Sequence, residues 1–149
     1  MFERLKALLH SSSDSTGDVS VEQTVPMAAA MLLLEVAWAD HKISEAELDM
    51  TRKAIISLFH LAPEQVERLV ERARIEHETA TSVYPFTSAA NAALSMDEKR
   101  QLLVLLWRLA GADDGGEPHE EYTIRRIADL LYVSHEDFIA AKLAARSAR

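Results

Sequence analysis

The stretch EVAWADHKISEAELDMTRKAI, Glu35 to Ile55, decides the fold. An apolar run from Met27 to Ala39 stops at Asp40. A few residues on, Ser44 and Glu47 stand at the spacing of a capping box, in which each side chain bonds the other residue's backbone N–H. Leu48, Ile55, Leu58 and Phe59 then fall on or near one face of a helix. The segment therefore reads as a buried helix, an acidic loop and an amphipathic helix.

The same plan returns further along the chain. At a shift of 73, Ala37, Ala39, Asp40 and Glu47 meet Ala110, Ala112, Asp113 and Glu120. The register then becomes 72, and Thr51, Ile55, Leu58 and Glu64 meet Thr123, Ile127, Leu130 and Glu136. A one-residue slip in a loop disturbs little packing. Two such units predict one all-α domain of about seven helices, built from pseudo-symmetric halves around a shared core.

Local signals place the other helices. Ser20 to Gln23 has the form of a capping box, with Pro26 as an alternative start, and this first helix runs to about Ala39. Pro63 and Pro118 suit first helical positions. Val66, Leu69, Val70 and Ala73 form one stripe, and a short helix is expected over Thr87 to Leu94. Ser95 and Glu98 form another capping box ahead of LLVLLWRLAGA. Ser134 opens the last helix, with Phe138, Ile139 and Leu143 inward. No stretch alternates as a strand would. Residues 1–10 read as an amphipathic helix with Phe2, Leu5, Leu8 and Leu9 on one side, 11–20 as a polar linker, and 21–149 as the helical domain.

Composition narrows the function. The chain has 149 residues, 48% of them hydrophobic, with four Gly and four Pro, which suits one helix-rich domain. It has no Cys, so disulfides and thiolate metal sites are excluded, and a cytoplasmic location is expected. The net charge of −8 opposes binding to nucleic acid, whose affinity rests on Lys and Arg. It suits cations or a basic protein partner. The longest apolar run, Met27 to Ala39, contains Glu35 and falls short of the about 20 residues that span a membrane. The N-terminus lacks the apolar core of a signal peptide, although its Phe2–Leu9 stripe suits peripheral contact with a membrane or partner.

Asp40 and Asp113 each end a buried helix, where the partial negative charge disfavours a carboxylate. A positive group such as Lys42, a helix N-terminus or a bound cation would offset it, or each Asp bonds loop amides in a turn. Glu47 and Glu120 have two readings, N3 capping residues or ligands. If the halves pack face to face, Asp40, Glu47, Asp113 and Glu120 or Glu121 converge as hard oxygen donors for Ca²⁺, Mg²⁺ or Mn²⁺. Zinc has the narrower case, through His119 beside the acidic pair. Neither loop is an EF-hand, because the twelfth position is Thr51 in one and Ile124 in the other. HETAT, HEEYT and HEDFI lack the second His of a zinc protease. There is no nucleophile elbow or phosphate loop, so no enzyme is expected.

Two further expectations concern packing. The shift of 73 pairs Glu35 with Arg108, each the lone charge of its apolar run. An ion pair between them in or beside the core is expected, with a cost of about 3 kcal/mol on truncating Glu35. Trp38 and Trp107 read as core residues.

With those residues in place, AWADHKISEAELDMTRKAI and ADDGGEPHEEYTIRRIADLLYVSHEDFIAAK resemble the tellurite-resistance TerB-like family over about Pro26 to Arg146. The resemblance implies a helical domain of about seven helices, tied to tellurite resistance and stress response. It also implies an acidic divalent-metal site and no catalytic activity. By motif position the ligands would be Asp40, Glu47, Asp113, Glu120 and Glu121. The first loop departs from the family's usual Asp-Gly, since His41 and Lys42 follow Asp40.

Overall fold

The computed structural model describes residues 21–40, 42–111 and 118–147. Among them are seven α-helices and no strand: α1 (Val21–Ala37), α2 (Glu45–Phe59), α3 (Pro63–Thr79), α4 (Tyr84–Ala93), α5 (Met96–Ala110), α6 (Pro118–Leu130) and α7 (His135–Ser147). A 3₁₀ turn, Trp38–Asp40, follows α1. The segments 1–10 and 11–20, read as a helix and a linker, lie outside the described residues.

The helix starts follow the capping chemistry. Ser44 N–H donates to Glu47 Oε1 at 2.8 Å, and Glu47 N–H donates to Ser44 Oγ at 3.1 Å. Ser95 and Glu98 repeat both bonds at 2.8 and 3.1 Å. Asp137 N–H donates to Ser134 Oγ at 3.1 Å and opens α7. Each bond satisfies an amide that the first helical turn leaves without a partner. The helix ends also correspond. His60 (φ 55) and Tyr132 (φ 61) are left-handed residues 72 positions apart, just beyond α2 and α6. A non-glycine residue there carries a steric cost that the chain accepts in order to stop the helix.

α1 lies at the centre. Ala28 to Leu34, Val36 and Ala37 are all buried, as expected of a helix apolar on every side. It packs against α2, α3, α4, α5 and α6. α5 is the second axis of the core, with Leu102, Leu103, Leu106 and Leu109 buried, and it packs most extensively on α7. Ile55 of α2 and Ile124 and Ile127 of α6 close the same cluster. Asn91 Nδ2 donates to the Leu130 carbonyl at 2.8 Å, tying α4 to the end of α6.

Four expectations are corrected. α4 begins at Tyr84 rather than Thr87, with Pro85 in its first turn, where the missing N–H costs no helical bond. Leu143 is exposed, because Phe138, Ala141 and Ala145 form the buried face of α7 instead. Trp38 is 41% exposed, since the chain leaves α-helical register at Ala37 and the 3₁₀ turn swings the indole outward. Trp107 is core as expected, 5.3 Å from Phe138. Finally, Glu35 pairs with His77 of α3, not with Arg108.

Candidate functional site

Two regions carry chemistry, and only one of them was anticipated. The anticipated region comprises the acidic residues that follow α1 and α5 in sequence and those at the starts of α2 and α6. Glu47 is 2% exposed and Glu120 4% exposed. Buried carboxylates of this kind require partners. One oxygen of Glu47 accepts the Ser44 N–H, and Thr51 Oγ1 donates to the Glu47 carbonyl at 2.8 Å. Glu120 is not without a partner either. Glu121 accepts from Lys142 Nζ at 3.0 Å, linking α6 to α7. The side chain of Asp40 and the whole of Asp113 lie outside the described residues, and the same holds for the His119 side chain.

Element packing brings the two loops' neighbours together. The Trp38–Asp40 turn of the first half packs directly against α6, whose first turn carries Glu120 and Glu121. α1 also packs on α6, and α2 on α5. Among the described residues, no three His, Asp or Glu side chains form a metal-sized cluster. The chemistry of the donors present is nevertheless graded. Glu47 and Glu120 are buried carboxylates, an oxygen chemistry that suits a hard cation. Glu121 is already neutralised by an ammonium and fits that role less well.

The unanticipated region centres on Glu35 of α1 and His77 of α3. Glu35 Oε1 and His77 Nε2 are 2.7 Å apart. A carboxylate only accepts, so Nε2 carries the proton and donates it. The His77 side chain is 9% exposed and that of Glu35 30%. The pair forms a shared wall between two concavities. One, of about 90 Å³, is lined by Thr81, Ser82, Phe86 and Arg126 among others. The other, of about 540 Å³, has Ile43, Leu48 and Trp38 beside Glu45, Arg74 and Glu78. Trp38 meets His77 edge-on, with centroids 6.2 Å apart. A sequence signal for this pair existed. Val66, Val70, Ala73 and His77 follow one another at helical spacing, so the histidine continues the buried stripe of α3. Its partner lies 42 residues away, and no local pattern names it.

A family model for tellurite resistance protein TerB matches residues 26–143. The chain belongs to the TerB family. The match runs from Pro26 in α1 to Leu143 in α7, and takes in both acidic loops and the Glu35–His77 groove. No curated protein and no solved structure gives a significant match. Among the described residues, no helix of this TerB domain is long and apolar enough to cross a membrane.

Proposed function

We propose that this TerB domain is a non-enzymatic, cytoplasmic protein of tellurite resistance or stress response that holds a hard divalent cation at its acidic end. The observation that carries the reading is the packing of the Trp38–Asp40 turn on α6. It sets the end of the first acidic helix beside the helix that bears Glu120. Asp40, Glu47, Asp113 and Glu120 are the ligands in this reading, with Glu121 accessory because Lys142 holds it. A bound cation would supply charge neutralisation for the buried carboxylates of Glu47 and Glu120, and for Asp40 and Asp113, which follow the buried helices in sequence. The residues of the chain would orient those oxygens through the Ser44 cap and the α6 start. The corresponding contacts α1–α3 with α5–α7 and α1–α2 with α5–α6 support two related units that such a cation would tie together.

The test is a metal titration. Metal-stripped protein is melted with Ca²⁺, Mg²⁺, Mn²⁺ or Zn²⁺. The Tm should rise with metal concentration. Asp113→Asn and Glu120→Gln should remove the gain, and Glu121→Gln should keep most of it. No Tm shift at millimolar metal would sink the reading.

A further inference from the structure

We propose that the groove beside the Glu35–His77 pair receives an arginine side chain presented by a partner protein, independently of any metal. The argument begins with charge. Glu35, Glu45 and Glu78 line the groove against one cation, Arg74. That guanidinium is already committed. It lies 2.6 Å from Glu71, which is outside the groove, and 3.5 Å from Glu78. Its hydrogen bond holds the Glu71 carboxyl below the usual carboxylate range, and Glu71, then Glu78 and Glu45, raise Arg74 in turn. The groove therefore keeps a surplus of negative charge, and an incoming cation complements it.

Shape and polarity select the kind of cation. Trp38 presents its indole at the groove with 41% of its surface exposed. An indole face is the best aromatic partner for a cation. Ile43 and Leu48 offer apolar surface for an alkyl stem, so the charged tip reaches the carboxylates while the methylenes stay dry. Arginine fits better than lysine, because its planar guanidinium stacks on an aromatic ring and bonds a carboxylate with two N–H groups. The groove volume of about 540 Å³ admits that side chain together with a flanking apolar residue. The Glu35–His77 bond fixes the back wall, since an ordered pair at 2.7 Å keeps the Glu35 carboxylate in one place.

The experiment uses the full chain in EDTA, which separates it from the metal reading. A blocked hexapeptide of alternating arginine and leucine is titrated by calorimetry and by tryptophan fluorescence. The comparison peptide carries citrulline, the neutral isostere, at each arginine position. Saturable binding is expected for the arginine peptide, about tenfold weaker for citrulline, with a fluorescence change that Trp38→Phe abolishes. Glu45 and Glu78 are exposed rim residues, so the double variant Glu45→Gln/Glu78→Gln should keep the wild-type Tm. It should weaken the arginine peptide by about tenfold. Equal affinity for the two peptides, undiminished binding by the rim variant, or no saturable binding at all would overturn the assignment.

Discussion

Glu35 and Arg108 occupy matching places on α1 and α5, each the lone charge of an apolar run, yet they have different fates. Glu35 finds His77 on α3 at 2.7 Å. The Nε of Arg108 is buried without a hydrogen-bond partner among the described residues. The cause lies in the third helix of each half. α3 holds His77 in its last turn. At the 72-residue shift, the counterpart of His77 is Arg149, whose like charge could not pair with Arg108. The long third helix thus completes a wall and a groove in the first half. In the second half, α7 instead delivers Phe138 and Lys142 onto Trp107, the ammonium 5.1 Å from the ring centroid. The two lone charges thus differ in the helix that faces them.

The largest expected effect tests whether the halves share one core. Ile55 and Ile127 are matching residues, 0% and 1% exposed. Ile55→Ala and Ile127→Ala should each cost about 2–5 kcal/mol, from lost transfer energy and the cavity left behind. Urea denaturation followed by circular dichroism should show one transition for both, with midpoints lowered to similar extents. Two separated transitions in either variant would mean that the halves unfold as independent blocks, and the single-core description would fail.

A smaller effect sharpens the contrast between the two lone charges. Removing Glu35 leaves a buried imidazole N–H unsatisfied, which costs about 1–3 kcal/mol. The 30% exposure of Glu35 places Glu35→Ala in the lower part of that range, about 1–2 kcal/mol, below the about 3 kcal/mol expected for a pair with Arg108. Glu35→Gln should lose less, since an amide oxygen still accepts the bond. Arg108→Met should change stability by no more than about 0.5 kcal/mol, because no side-chain hydrogen bond to a described residue is lost with it. Equal losses in Glu35→Ala and Arg108→Met, measured by thermal melting, would erase the asymmetry.

This contrast also marks how far the chain could be read from its residues. Ser44, Pro63, Ser95, Pro118 and Ser134 announced helix starts correctly because caps act within four residues of themselves. The stripes of α2, α3 and α6 were legible because helical spacing is local too. Trp38 was misplaced because a single turn of 3₁₀ geometry rotates every later side chain, and nothing in WAD marks it. The Glu35–His77 bond depends on α3 crossing α1, a matter of tertiary packing. Of the acidic candidates, Glu47 and Glu120 are buried at helix starts, a depth that the capping spacing does not dictate. The tether of Glu121 to Lys142 is a contact between helices that no spacing rule supplies.

The smallest effect concerns a charge that neither half uses. Lys99 is only 7% exposed in the first turns of α5, near the positive end of that helix. Its ammonium makes no hydrogen bond or ion pair among the described residues. Burial pushes its ammonium below the usual lysine range. The folded chain therefore releases this proton at lower pH than the unfolded chain, so the unfolded state binds more protons between those two values. Stability should rise with pH across that interval, and the penalty should be fully present at neutral pH. Lys99→Met keeps the length of the buried stem and removes the charge, so a gain of about 0.5–2 kcal/mol is expected at pH 7. The variant should also lose the part of the alkaline rise that Lys99 supplies. The gain should appear in the single transition of the whole domain, since α5 packs on α1, α2, α6 and α7. A loss of stability in Lys99→Met at neutral pH would show that the ammonium is favourably solvated where it lies, and that its burial carries no penalty.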